Sequence, residues 1–357
     1  MDKASELMQQ ILLAGSEMGS SDIHLVANNP PIFRTIGKLE SYKSAGVIDS
    51  EMLMAMISSV MNQNQKELFL RDFDLDFSIH VPGKARYRAN AYFQKATPAI
   101  SLRFIPDKIP TIADLGLPEI CHSFAKLKQG FILVTGPTGS GKSTTLAAVI
   151  DEINTNRAEH VVTIEDPIEF VHENKKSFIS QRELGGDTKS WSNALKSVLR
   201  EDPNVVYIGE MRDPDTMQAA MTVAETGHLV FATLHTNSAA QSIERIVDSF
   251  PEEQQAQVVL QLSMVLEAVL SQRLVPTVGG KRVVASEIMV VTPAVRNNIR
   301  EGKTFQIDNV IQTSGNLGMK LMENSLSELV NKNIIDRSVA LEYAIRPSLL
   351  DKLLGGR

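Results

Sequence analysis

The sequence has a single cysteine, Cys121, among 357 residues. An intrachain disulfide and a cysteine-built zinc site are therefore excluded, and a reducing compartment is expected. An excess of positive charge is also lacking. Lys and Arg number 36 against 42 Asp and Glu, for a formal net charge of -6. A general nucleic-acid-binding surface usually shows as a basic chain or a clear basic face, so none is expected. Long unbroken apolar runs are missing too. The start, "MDKASELMQQILLAGSEMG", has polar residues inside its apolar pattern, so no signal peptide is expected. Residues 258–274, the most apolar later stretch, are interrupted by Gln261, Ser263, Glu267 and Ser271. They read as a core helix, not a membrane span. There is no internal repeat and no low-complexity segment.

What remains is ordinary for a globular protein, with 43% hydrophobic and 22% charged residues. The length suggests about two domains. Leu7, Met8, Ile11 and Leu12 recur at helical spacing, and Gly15 to Gly19 close that helix. "SDIHLV" reads as a short strand and "NNPP" as a turn. Residues 73–81 alternate, with Phe73, Leu75, Phe77, Ile79 and Val81 on one face. After "PGK" the alternation resumes, with Ala85, Tyr87, Ala89, Ala91 and Phe93 opposite Arg86, Arg88 and Asn90. Two alternating runs around a Pro-Gly turn predict an antiparallel hairpin. Residues 99–105 supply a third strand. Residues 1–105 thus form a small α+β domain with one solvated sheet face, and the Pro-punctuated residues 106–118 form a linker.

From 119 to 357 the pattern changes. Apolar runs without alternation, at 130–136, 160–166, 204–210 and 228–235, are separated by helical patterns. Such runs suit parallel strands buried on both faces, and the whole suits a doubly wound α/β core. Residues 281–291 add a further strand, and from about 292 the pattern is mostly helical.

"GPTGSGKST", residues 136–144, fits a Walker A loop between a predicted strand and a predicted helix. Gly136, Pro137, Thr138, Gly139, Ser140, Gly141, Lys142, Ser143 and Thr144 are its members. The three glycines let backbone N–H groups approach phosphates, and the following helix points its positive end at them. Lys142 is expected on the β- and γ-phosphates and Ser143 on Mg²⁺. In an open α/β sheet ligands bind at the carboxyl ends of the strands. Those ends carry Gly136, Glu165 with Asp166, Glu210, and His235. Glu210 occupies the place of the residue that orients and deprotonates water. It follows Gly209, where many ATPases carry a magnesium-side Asp. Glu165 and Asp166 are the best replacements for that Asp, acting through ordered water, against a plainer role as turn caps before Pro167. Glu169 is left as a solvated charge. A strand of seven steps spans roughly 20 Å, so His228 lies at the wrong end and His235 is the better phosphate contact. The alternative for His235 is a satisfied core histidine.

"GPTGSGKST", "TIEDPIEF", "YIGEMRDPDT" and "TGHLVFATLHTNSA" resemble the Walker A, Asp box, Walker B and His box of the secretion-superfamily ATPases. Within that superfamily, "SDIHL…PPIFRTIGKL", "SQRELGGDTKSWSNALKSVLREDP" and "AVRNNIREGKTFQIDNVIQT" are similar to segments of the type IV pilus retraction ATPases. The resemblance covers nearly the whole chain. It implies a PAS-like N-terminal domain and a RecA-like core. It implies ATP hydrolysis with Mg²⁺ in a homohexameric ring at the cytoplasmic face of the inner membrane, where the ring acts on a pilus platform protein beside a second retraction ATPase. It implies arginine fingers as well, and Arg88 and Arg103 match best, with Arg86 third; the alternative for them is solvated hairpin charge. The segment has Asn298 where the family usually has an apolar residue. On a helix Arg296, Arg300 and Lys303 share one face, with Val295 and Ile299 on the other, and Asn298 weakens the apolar side.

Three rival readings are weighed. Extension and secretion ATPases usually carry a longer N-terminal region, and many carry a four-cysteine zinc module. A DNA-translocating ring conflicts with the acidic balance. A nucleotide-binding regulator without turnover conflicts with Lys142, Ser143 and Glu210.

Overall fold

The computed structural model describes residues 3–35, 37–81, 85–105 and 108–355. The expected hairpin turn at Pro82, Gly83 and Lys84 lies outside those residues, as do Pro106 and Asp107 of the expected linker. The chain divides into two compact units: Met1–Lys108 with Pro167–Val171, and Ile109–Asp166 with His172–Arg357.

In the first unit, helix α1 (Lys3–Glu17) precedes strands β1 (Asp22–Val26), β2 (Ile32–Thr35) and β3 (Lys38–Ser41). Helices α2 (Ser50–Ser59) and α3 (Gln63–Asp72) follow, then strands β4 (Asp74–Val81), β5 (Ala85–Gln94) and β6 (Thr97–Ile105). The six strands form one antiparallel sheet in the order β3-β2-β1-β6-β5-β4. Alternation decides its faces. Ile23, Leu25, Phe77, Ile79, Tyr87, Ala89 and Leu102 share a core with Met8, Ile11 and Leu12 of α1 and Leu53, Met56 and Ile57 of α2. The two helices after residue 49 are set by their caps: the Asp49 side chain accepts from the Met52 amide, and Asn62 with Gln65 makes a capping box. Phe73 departs from the expected apolar face. It ends α3 in the left-handed conformation (φ 60) with its ring 57% exposed, so the strand's alternation starts one residue later.

The second unit opens with helix α4 (Ile120–Phe124) and strand β7 (Gly130–Thr135). Then come α5 (Lys142–Asn156), β8 (His160–Glu165), β9 (Phe178–Glu183), α6 (Trp191–Val198), β10 (Val205–Ile208), α7 (Pro214–Glu225) and β11 (Leu229–Leu234). Helices α8 (Ala239–Asp248) and α9 (Glu252–Val265) lead to strands β12 (Leu266–Pro276) and β13 (Arg282–Val290). The sheet order is β13-β12-β7-β11-β10-β8-β9, parallel except for β13. Every residue of β7, β10 and β11 is buried, which is why these runs carry no period-2 signal.

The core helix expected over 258–274 is corrected: α9 stops at Val265 and β12 begins at Leu266. Leu266–Leu270 is an almost continuous apolar run because β12 lies between β7 and β13. Periodicity cannot separate such a strand from a buried helix.

Helices α10 (Pro293–Arg300), α11 (Ile307–Thr313), α12 (Met322–Asn331), α13 (Arg337–Tyr343) and α14 (Pro347–Leu353) complete the unit. The expected basic face of α10 is only partly there. Arg300 and Lys303 are exposed, but Arg296 donates through Nη1 to the carbonyls of Ser263 and Met264, at the C-terminal end of α9. Asn298 is buried beside Val295 and Ile299. No helix among the described residues is long and apolar enough to cross a membrane.

Candidate nucleotide site

The Walker A segment leaves β7 at Thr135 and enters α5 at Lys142. Gly136, Gly139 and Gly141 hold φ of 144, 77 and 89, values that side-chain-bearing residues rarely adopt. Close approach restricts two of them further. A β-carbon on Gly136 would stand 2.3 Å from the Gln272 carbonyl oxygen, and one on Gly141 would stand 3.2 Å from Gln272 Nε2. Lys142 is buried, and its Nζ donates to the carbonyls of Gly136 (2.8 Å) and Pro137 (3.2 Å), so its charge is folded over the loop. Ser140 is 3% exposed, and its hydroxyl has no hydrogen-bond partner among the described residues. Pro137, Thr138 and Gly139 are exposed and line a cavity of about 620 Å³ with Asn237, Arg273 and Tyr343. Left-handed glycines, an unpaired hydroxyl, a folded lysine and the N-terminus of a 15-residue helix suit a chain of phosphates.

Glu210 follows β10 and His235 follows β11, and the parallel register of the two strands brings them together. His235 Nε2 lies 3.0 Å from Glu210 Oε1, and its Nδ1 lies 3.5 Å from the Thr138 hydroxyl. One side chain thus joins the Walker B strand end to the Walker A loop. Burial, aided by the charges of Lys142 and Arg212, pushes His235 below its ordinary pKa against the pull of Glu210. The ring is therefore neutral near pH 7. Its Nε2 carries the proton toward the carboxylate, which leaves Nδ1 to accept from Thr138. Burial alone would raise Glu210. The Arg212 guanidinium at 2.9 Å, with His235 and Lys142, outweighs it and holds Glu210 below its ordinary value. Glu210 is ionised, and both of its oxygens are engaged.

Glu165 ends β8 and is 5% exposed. Its Oε1 accepts from the Thr163 hydroxyl (2.7 Å) and from Gln181 Nε2 (3.3 Å). Asp166 is the next residue, and its charge acts on Arg212. Among the described residues no group of three His, Cys, Asp or Glu side chains could hold a metal unaided. The donor set instead suits an ion that keeps much of its water and is bound jointly with phosphate, as Mg²⁺ is. His228 immediately precedes β11 at the opposite end, where its Nδ1 meets the Thr226 hydroxyl (2.9 Å) and the Val223 carbonyl (3.1 Å), closing α7. Arg88 and Arg103 belong to the other unit, directly opposite one another in the β5–β6 register.

Two residues of the site escaped the sequence reading. Gln272, 1% exposed, donates to the Ser140 carbonyl (2.7 Å) and accepts from the Thr145 hydroxyl (2.9 Å), clamping the loop to the first turn of α5. Arg273 donates to the Asn237 side chain (3.2 Å), two residues past His235, and to the Tyr343 carbonyl (2.8 Å). Both lie in the stretch read as a helix. The available signal was their polarity within an apolar run.

Comparison with known proteins places this geometry. The family model for type II/IV secretion system proteins matches residues 117–282. The chain is 47% identical over 338 residues to the type IV pilus retractation ATPase PilT of Pseudomonas aeruginosa, covering 95% of this chain and 98% of that protein. It is 49% identical over 298 residues to a twitching motility protein of Neisseria gonorrhoeae, covering 83% of this chain and 80% of that one. A crystal structure of the pilus retraction motor PilT with bound ADP superposes with a TM-score of 0.90 at 44% identity, covering 96% and 98% of the two chains.

Proposed function

The chain belongs to the PilT family of type IV pilus retraction ATPases, within the type II/IV secretion system proteins, and from that premise we propose a motor that hydrolyses ATP to withdraw pilin from the fibre. The observation that carries the ATPase is the line Glu210–His235–Thr138, which ties a candidate base to the loop that would hold the phosphates. The Walker A amides and Lys142 bind the β- and γ-phosphates. Ser143, with Glu165 and Asp166 through water, would hold Mg²⁺, whose chemistry is to neutralise charge on the phosphoryl oxygens. Glu210 takes the proton of a water that attacks the γ-phosphorus, and the bond to the β–γ bridging oxygen breaks to give ADP and phosphate. His235 holds Glu210 on one side and senses the γ-phosphate end on the other. Arg88 and Arg103 act on the nucleotide of a neighbouring copy.

The same reading makes the working form a homohexamer on the cytoplasmic face of the inner membrane. Its partners are the pilus platform protein and a second retraction ATPase, with no role for nucleic acid. The backbone runs from Asp166 of one unit directly into Pro167–Val171 of the other.

The test has two arms. Glu210→Gln keeps nucleotide binding and lowers turnover by about 10²–10⁴; turnover near wild type sinks the base assignment. Deletion in the native host leaves long pili that do not retract. Cells without pili would instead indicate extension.

A further inference from the structure

One row of side chains crosses the N-terminal sheet. Register places Ser78 opposite Arg88, Arg88 opposite Arg103, Arg103 opposite Asp22, and Asp22 opposite Arg34. Two arginines directly opposite one another repel. A sheet that keeps such a pair breaks a local rule, and breaks of that kind concentrate at functional sites. Asp22 is the one carboxylate in the row, and each of its oxygens has a defined task. Oδ2 accepts from the Ser21 hydroxyl (2.9 Å) and lies 3.6 Å from Arg34 Nε. Arg34 is braced in turn by its own Nη1 on the Gly37 carbonyl (3.2 Å). Oδ1 is thereby turned to Arg103 Nε at 3.1 Å. Among the described residues that is the one hydrogen bond of the Arg103 guanidinium.

Asp22 has a side-chain exposure of 16%, whereas that of Arg103 is 71%. The carboxylate is thus the fixed part and the arginine the presented part. A guanidinium held at Nε keeps its two terminal nitrogens as a fork, and that fork fits two oxygens of a phosphoryl group. We propose that Asp22 is a positioning residue. It holds Arg103 by Nε, with Arg34 and Ser21 locking the carboxylate behind it, so that the free edge meets the phosphoryl oxygens of nucleotide bound by a second copy. The assignment rests on the reading that Arg103 acts across copies. An exposed ion pair serving stability alone would contribute little, and its loss would leave the rate unmoved.

Mixing separates the possibilities. A chain with Lys142→Ala cannot use its own loop but still supplies Arg103. A chain with Arg103→Ala supplies the loop. Each is inactive alone, and together they recover ATPase activity. Asp22→Asn placed on the Lys142→Ala chain lowers the recovered rate about tenfold or more, on the ground that small misplacements of a charge-stabilising group are costly. Placed on the Arg103→Ala chain, the same change leaves the recovery intact. In the otherwise wild-type chain Asp22→Asn lowers kcat, while KM for ATP and the melting temperature hold, and combined with Arg103→Ala it causes no further loss. Equal recovery from both placements, or additive losses in the double variant, overturns the role of Asp22. Lack of recovery in the parent mixture, or full activity of Arg103→Ala alone, overturns instead the reading on which it rests. Asp22→Glu keeps the charge and moves it by one methylene, so a rate between those of wild type and Asp22→Asn is expected there.

Discussion

Gly209 and Glu165 meet backbone to backbone across the parallel pair β10–β8. A β-carbon on Gly209 would stand 3.3 Å from the Glu165 Cα and 3.3 Å from the Ile164 carbonyl oxygen, with the Trp191 ring at 3.6 Å. The Gly209 amide donates to that same carbonyl at 2.8 Å. An Asp in this place, as many P-loop ATPases have, would therefore push on the neighbouring strand β8. The carboxylates sit one strand over, on Glu165 and Asp166. Gly209→Ala is expected to cost about 1–3 kcal/mol, the usual cost of overpacking a tight site. Gly209→Asp should cost more and should not raise turnover. Urea unfolding with steady-state ATPase assays checks both, and a Gly209→Asp chain of wild-type stability and rate would defeat the steric account.

Gln272 should govern nucleotide affinity more than turnover. In Gln272→Leu the Ser140 carbonyl and the Thr145 hydroxyl lose their partner in a buried place, which costs about 1–3 kcal/mol. Part of that loss falls on the loop that must be shaped for phosphate. Affinity for a fluorescent ADP analogue is expected to fall about tenfold, equivalent to roughly 1.4 kcal/mol, with kcat at saturating ATP changed less. Unaltered affinity in a folded Gln272→Leu chain would show that the clamp is dispensable.

The fold was legible where local pattern and final environment agree. The alternation of Leu75, Phe77 and Ile79 in β4, and the fully apolar runs of β7, β10 and β11, announce a half-buried sheet and a doubly buried one. The ends of β10 and β11 carry Glu210 and His235 because both strands are parallel, so chain order alone brought them to one sheet edge. Illegible parts depend on distant residues. Leu266–Leu270 is a strand because β7 and β13 flank it, and nothing within its own window says so. Gln272 matters through Ser140 and Thr145, over 120 residues earlier in the chain. Arg296 resembles a surface charge in sequence but caps a helix that ends about 30 residues before it. Phe73 fits the strand alternation perfectly yet serves as a left-handed helix end, a choice made by the preceding capped helix.

Arg346 is the keystone of a buried acidic cluster. Its guanidinium meets Glu323 (3.1 Å), Glu287 (3.2 Å) and Asp308, and both glutamate side chains are fully buried. Burial would lower its pKa, but these carboxylates hold it above its ordinary value, while burial raises Glu287. Glu287 also accepts the Ala239 amide (2.9 Å) at the start of α8, four residues past His235. Arg346→Met strands this negative charge in the interior and is expected to destabilise the chain by about 3–5 kcal/mol. The loss should shrink as pH falls and the raised Glu287 takes up a proton, and should shrink likewise in the double variant with Glu287→Gln. Thermal unfolding at several pH values reads this directly, and a pH-independent loss would contradict the stranded-charge account.

His172 should make the protein acid-sensitive. It is 9% exposed, and its Nδ1 has no hydrogen-bond partner among the described residues. Burial lowers its pKa from 6.5 to about 4, against a smaller opposing pull from Asp151. The folded value is thus below the unfolded one. Between those values the unfolded chain binds more protons, so stability is complete above about pH 6.5 and is lost as pH falls toward 4. At about 1.36 kcal/mol per pK unit the full loss is roughly 3 kcal/mol. His172→Leu removes the titrating ring and retains an apolar side chain, so its urea midpoint should change less than wild type between pH 7 and pH 4.5. Comparison of the two chains over that interval cancels the contribution of every other group that titrates alike in both. Parallel pH profiles would show that the ring is solvated on protonation at little cost, and would remove His172 as the source of acid sensitivity.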